Sequence, residues 1–114
     1  MALTAEQILA ASDADLLKVR VKEWGGEAYV RVMSVKERDA YERMWIGKRD
    51  TGVENFRAEY LARVLCDETG KLLFSRDQID ALSEKSGAVM GKLFDKALKH
   101  NNMTDADVEE LAKN

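Results

Sequence analysis

The side chains best suited to chemistry in this sequence are its single histidine and single cysteine, His100 and Cys66. A nucleophilic site pairs a thiol with a nearby base, but no sequence pattern brings these two residues together. His100 falls near the end of a predicted helix, where an imidazole complements the helix dipole. Cys66 falls at the end of another predicted helix, beside Leu65, and is best interpreted as a small buried side chain. We therefore expect no catalytic residues and no enzyme.

Metal and phosphate sites are not predicted either. A zinc site needs about four nitrogen or sulfur ligands, which one histidine and one cysteine cannot supply. The acidic run from Asp105 to Glu110 lacks the glycine and the ligand order of a calcium loop. Gly25 and Gly26 are not followed by the Gly-Lys-Ser/Thr pattern of a phosphate-binding loop. We expect neither a metal nor another cofactor.

Composition and charge further limit the classes of protein to which this chain can belong. The 114 residues fit a single domain over 1–114, since domains hold roughly 100–200 residues. Interspersed charges, 21 acidic and 18 basic, give a net charge of −3, which argues against nucleic-acid binding. The single cysteine fits a reducing compartment. With neither a secretory signal pattern nor an apolar stretch of about 20 residues, we expect a cytoplasmic protein without a membrane partner.

Three capping boxes mark predicted helix starts, at Thr4–Gln7, Ser34–Glu37 and Ser75–Gln78. Apolar residues recur at helical spacing after each of them. We predict an N-terminal helix over 4–12, a β-hairpin over 16–33 and a helical remainder over 35–113. The expected fold class is α+β, mostly α-helical, with one N-terminal two-stranded antiparallel hairpin packed on four to five helices.

The hairpin is the clearest local prediction. Valines alternate with polar residues in the segments 17–21 and 28–32, as a half-buried strand requires. Glycines 25 and 26 can supply the positive φ angles of a two-residue turn. That turn would place Val21 opposite Val30 and Val19 opposite Val32, so that these four valines lie on one face.

The opposite face of the hairpin supplies the candidate partner-binding residues. They are Trp24, Tyr29, Met33, Arg20 and Arg31. Aromatic side chains and arginines are enriched at interface hot spots. The predicted register sets the two arginines directly opposite each other, which indicates an acidic neighbour in the fold or on a partner. Trp24, at the tip of the turn, fits a core role as well as a binding role.

Other apolar residues allow two interpretations. Met33, Met44, Met90 and Met103 could give a binding surface adaptable contacts, although methionines at helical spacing also suit a core. Gly87 and Gly91, four residues apart, could let a second helix approach closely.

The order of several motifs resembles a known family. Val21–Arg31 carries Glu-Trp-Gly-Gly ahead of the second strand, and Glu37-Arg38-Asp39 follows in the next helix. Arg57-Ala58 precedes the run Leu65–Ser75, which contains Asp-Glu-Thr-Gly-Lys and a phenylalanine, and Leu82–Ser86 continues the pattern. In order and spacing these segments are similar to the tail assembly chaperones of long-tailed bacteriophages, over nearly the whole chain.

The resemblance implies a non-enzymatic function. Such a chaperone binds the long, mostly helical tape measure protein in the bacterial host before the tail tube forms. It keeps that protein soluble, helps to recruit tail tube protein and is absent from the finished virion. Relatives are also made as a longer frameshifted product, and a homo-oligomer is possible. The alternative is a small regulatory or adaptor protein that binds a single host or phage protein, which composition does not distinguish from a chaperone.

Overall fold

The computed structural model of the protein describes residues 2–45 and 55–103. In chain order its elements are α1 (Ala5–Ala10), β1 (Leu17–Val21), β2 (Gly26–Val30), α2 (Val35–Trp45), α3 (Phe56–Val64), β3 (Leu65–Cys66), α4 (Ile79–Ser83) and α5 (Gly87–His100). Short 3₁₀ turns at Lys22–Trp24 and Arg76–Gln78 precede β2 and α4. The predicted mostly helical α+β class is confirmed. Two parts of the predicted helical remainder, 46–54 and 104–113, lie outside the described residues.

The hairpin forms where the valine pattern predicts it, but with a different turn. Gly25 alone adopts a positive φ, of 71°, and residues 22–24 wind as a 3₁₀ turn before it. Gly26 therefore belongs to β2 and pairs with Val21, so the predicted pairing of Val21 with Val30 is wrong. The pairing moves by an even number of residues, which keeps the same side chains on the same face. Val19, Val21 and Val30 are accordingly all buried.

A third strand extends the predicted two-stranded hairpin. β3 pairs antiparallel with β2, and the sheet order is β1-β2-β3. Cys66 thus lies in a strand opposite Tyr29, not at the end of a helix as the sequence predicts. The strand has only two residues and continues the apolar run of α3 without a break. Such a segment carries no alternation from which a strand could be predicted.

The core joins the valine face of the sheet to α3 and α5. Its centre is a chain of edge-to-face aromatic rings, in which Tyr60 contacts Tyr41 at 5.2 Å and Phe94 at 5.4 Å between centroids. Phe94 contacts Phe56 in turn. The apolar stripe of α5 faces this cluster as predicted, with Val89, Met90, Leu93, Phe94, Ala97 and Leu98 buried.

The glycines of α5 face open space in the described part of the chain. A Cβ atom built at Gly87 or Gly91 would meet nothing within 4 Å. No helix among the described residues therefore approaches either position closely.

The buried side-chain amide of Asn101 fixes the end of α5 to the segment that follows β2. Asn101 Oδ1 accepts the N–H of Met33 at 2.8 Å, while Nδ2 donates to the carbonyl oxygens of Arg31 at 3.2 Å and Ala97 at 3.0 Å. The residue is only 6% exposed. One side chain thus satisfies backbone groups from two elements that are distant in sequence, as buried polar groups require.

Replacing Asn101 by alanine should lower the free energy of unfolding by about 3 kcal/mol, because the Met33 N–H and the Arg31 carbonyl oxygen lose their partner in the amide. The Ala97 carbonyl oxygen still accepts the backbone N–H of residue 101. Urea denaturation followed by circular dichroism measures this loss. Asn102→Gly is the matched control, since Asn102 is exposed and has a φ of 55° that glycine adopts freely. A loss no larger in Asn101→Ala than in the control would show that the buried amide does not hold the fold together.

Candidate partner-binding surface

Trp24 is presented at the tip of the hairpin by the 3₁₀ turn. The Gly25 N–H donates to the carbonyl oxygen of Lys22 at 3.1 Å, which closes the turn. The indole is 38% exposed, more than a buried core side chain allows. The sequence permits either a core role or a binding role for Trp24, and its exposed position fits the binding role.

An open, mainly apolar groove of about 380 Å³ lies beside this indole, and we call it the Trp24 groove. It is lined by Trp24, Phe74, Gln78, Ala81, Leu82 and Lys85. The wall opposite the hairpin comes from α4 and the turn before it. There the predicted capping box is confirmed, with the Ser75 N–H donating to Gln78 Oε1 at 3.0 Å.

The edge of the Trp24 groove combines charge with apolar surface. Lys85 Nζ lies 6.0 Å from the centre of the Trp24 ring, at the outer limit of a cation–π contact. Just before Phe74 in the chain, Leu72 and Leu73 are 39% and 51% exposed. Exposed aromatic and aliphatic side chains in a concave site are typical of surfaces that bind other proteins.

Of the other predicted partner-binding residues, Arg20 and Tyr29 lie on the face of the sheet opposite the valines, whereas Arg31 and Met33 follow the end of β2. Arg20 is exposed opposite Glu27, and Tyr29 is half-buried beside Cys66. Arg31 is mostly buried, and Met33 is 6% exposed and belongs to the core. The prediction for Met33 assumes that the strand alternation continues to residue 33. Because β2 ends at Val30, the alternation stops before Met33. The placement of Met33 on the outer face is therefore wrong.

Comparison with known proteins decides the family. A profile of the family described as phage tail assembly chaperone matches residues 7–114. This chain belongs to that family. A solved structure, described as the structure of the bacteriophage HK97 tail assembly chaperone, superposes with a TM-score of 0.61 at 24% sequence identity. The match covers 88% of this chain and 95% of the HK97 chain, and it shows a shared fold. No curated protein sequence matches.

Family membership establishes the general role of the chaperone. The family assists phage tail assembly and is one of assembly factors, not of enzymes. Among residues 2–45 and 55–103, no helix is long and apolar enough to cross a membrane. The same residues contain no group of three or more histidine, cysteine, aspartate or glutamate side chains placed to hold a metal ion.

The histidine and the cysteine of the chaperone occupy separate structural positions. Cys66 is buried, and its Sγ lies 3.5 Å from the carbonyl oxygen of Tyr29. Burial raises the pKa of this thiol, which keeps it protonated and unreactive at neutral pH. His100 is the last residue of α5, and its Nε2 lies 2.6 Å from the carbonyl oxygen of Asp15. Each side chain has its own backbone partner.

The methionines do not supply an adaptable surface. Met33, Met90 and Met103 are all buried in the core, and Met44 is partly buried against it. The sequence predicts a core role for Trp45, on the same helix as Met44, but the side chain of Trp45 lies outside the described residues. Among the described residues, the exposed apolar side chains include those of the Trp24 groove with its neighbouring leucines, and also Leu3, Ile8 and Leu9 at α1 and Val35 at the start of α2.

Arg31 and Glu37 join the sheet to the first turn of α2. The guanidinium binds both carboxylate oxygens, with Nη1 donating to Oε1 at 2.9 Å. Glu37 Oε1 also accepts the Ser34 N–H at 2.9 Å, which confirms the predicted capping box. Glu37 is thus the acidic neighbour that the sequence predicts, although the two arginines are not opposite each other. The Arg31 hydrogen bond, together with the bonds from Ser34, lowers the pKa of Glu37 to about 2.

The depressed pKa of Glu37 predicts a loss of stability in acid. A carboxylate with a pKa lower in the folded state stabilises the fold above its unfolded pKa of 4.5, and this stabilisation disappears as the pH falls toward about 2. Since 36% of the side chain is exposed, solvent screening reduces the effect to about 1–2 kcal/mol. We expect the difference in free energy of unfolding between wild type and Glu37→Gln to vanish over that range.

Urea titrations at a series of pH values test this prediction. Glu42→Gln is the matched control, because Glu42 forms a more exposed pair with Arg38 on the same helix. A difference between wild type and Glu37→Gln that is independent of pH would show that the Arg31–Glu37 pair does not stabilise the fold.

Proposed function

We propose that this chaperone binds the tape measure protein of its phage, keeps it soluble before the tail tube forms and helps to recruit tail tube protein. Membership of the phage tail assembly chaperone family supports an assembly role. The exposed Trp24 groove is the single structural observation that most supports the binding of another polypeptide. We also propose that residues 1–114 act as one domain in the host bacterial cytoplasm, without a cofactor, catalysis, nucleic acid or membrane, and are absent from the virion.

The shape and chemistry of the Trp24 groove suit a helical client. An amphipathic helix binds by laying its apolar stripe in a hydrophobic groove. Phe74 and Leu82 offer the apolar lining, and Trp24 offers a large aromatic contact at the edge. Lys85 can pair with an acidic residue that flanks the stripe of the client. The expected tape measure protein is long and helical, so it would offer many such stripes.

The predicted partner-binding residues divide into two proposed roles. Trp24, Arg20 and Tyr29 have side chains that a partner can reach, and we propose them as contact residues. Arg31 and Met33 would act indirectly, since their backbones bind Asn101 and Arg31 also binds Glu37. They would fix the orientation of the hairpin that presents Trp24.

Binding can be followed with Trp24 itself. The chain has two tryptophans, so Trp45→Phe leaves Trp24 as the only indole. Synthetic peptides tiled across the tape measure protein should shift the fluorescence of Trp24 to the blue, because docking removes the indole from water. If no peptide has this effect and one host protein instead binds one-to-one, the adaptor function would replace the chaperone function.

A further inference from the structure

Strand β1 lies at one edge of the sheet. Strand β1 pairs with β2 on one side, and among residues 2–45 and 55–103 no strand pairs with its other side. An edge strand presents unpaired N–H and C=O groups that can hydrogen-bond to an added strand. This edge belongs to a different part of the hairpin from the Trp24 groove.

A narrow crevice runs between β1 and α5. It is lined by Val19, Arg20, Val21, Glu23, Val89, Lys92, Leu93 and Lys96, and its volume is about 50 Å³. A helix about 10 Å wide cannot enter a crevice of this size. An extended chain can lie about 4.8 Å from β1 and direct alternate side chains toward the valines and Leu93.

The charges around the crevice are mainly positive. Arg20 projects from β1, and Lys92 and Lys96 lie one turn apart on α5. All three are exposed, and none forms an ion pair with a described residue. Among the lining residues that the structure describes, Glu23 is the one that is acidic. This local excess of positive charge contrasts with the net charge of −3 of the whole chain.

We propose that the β1–α5 crevice binds an extended, acidic segment of a partner polypeptide, which adds to the sheet as a strand beside β1. The open backbone edge supplies the hydrogen bonds of strand addition. Arg20, on the opposite face of β1 from the valines, can pair with the acidic side chains of the added strand, while the exposed Lys92 and Lys96 attract the same acidic segment by charge complementarity. The apolar lining takes the side chains that alternate with the acids.

The proposal is tested by nuclear magnetic resonance titration of the full chain with a short peptide of alternating glutamate and valine. We expect the amides of residues 17–21 to exchange more slowly with solvent and the resonances of Lys92 and Lys96 to shift. Binding should weaken as salt rises, because exposed charges are screened beyond about 8 Å at physiological ionic strength. The double variant Lys92→Glu with Lys96→Glu should bind roughly tenfold more weakly.

The controls separate specific binding from general charge. Lys36→Glu with Arg43→Glu makes the same change in net charge on exposed positions of α2 and should keep the wild-type affinity. Arg20→Gln, a milder change, should weaken binding even if the double variant fails to fold. Equal binding of a lysine–valine peptide, shifts confined to the Trp24 groove, or tighter binding of a single-stranded oligonucleotide at these residues would overturn the proposal. Since no tape measure sequence is used, such a failure leaves the proposed chaperone function intact.

Discussion

Replacing Tyr60 by alanine should lower the free energy of unfolding by about 4 kcal/mol, the usual cost of deleting a buried aromatic ring. Tyr60 is completely buried and stacks edge-to-face on both Tyr41 and Phe94. Its removal would break the ring contacts of Tyr60 with α2 and α5 and leave a cavity where the three helices meet, although the contact between Phe56 and Phe94 would remain. Since domains have total stabilities of about 5–15 kcal/mol, this one change would remove a large share. Urea denaturation measures it.

The conservative variant Tyr60→Phe separates the ring from its hydroxyl group. The hydroxyl lies 3.5 Å from Met103 Sδ, a weak acceptor. We therefore expect Tyr60→Phe to cost less than about 1.5 kcal/mol. Equal losses in the two variants would mean that the hydroxyl, and not the aromatic packing, stabilises this part of the core.

Trp24→Ala should weaken binding of tape measure peptides by more than tenfold, since hot-spot tryptophans contribute about 2 kcal/mol or more. The fold should remain intact, because the indole is 38% exposed and lies at the tip of a turn. Titration calorimetry with the peptides that bind the wild type measures the affinity. Circular dichroism and thermal denaturation check the fold.

Val35→Ala is the matched control for Trp24→Ala. Val35 is 77% exposed at the start of α2, so it is an apolar surface residue that does not line the Trp24 groove. It should leave peptide affinity unchanged. If Trp24→Ala and Val35→Ala both bound like the wild type, the client site would lie elsewhere on the chaperone.

The local features of the fold could be predicted from sequence because each depends on neighbouring residues. The three capping boxes, at Thr4, Ser34 and Ser75, are all present. The alternation of valines correctly identified the buried face of the hairpin. The register was wrong because either glycine could have supplied the positive φ, and the chain uses only Gly25.

The Trp24 groove and the hydrogen bonds of the Asn101 amide could not be predicted from the sequence, because each joins residues that are distant along the chain. Trp24, Phe74 and Leu82 meet only after the hairpin packs on α4. Asn101 binds Met33 across 68 positions of the chain, and nothing near it in sequence marks it as buried. The third strand depends on its pairing with β2, which a two-residue segment cannot reveal by itself.

Co-expression with the tape measure protein of the same phage tests the central claim most directly. The measurement is the fraction of tape measure protein that remains in the soluble lysate. We expect that fraction to be high with the wild-type chaperone, and low both without it and with the folded Trp24→Ala variant. A tape measure protein that is equally soluble in all three lysates would contradict the account.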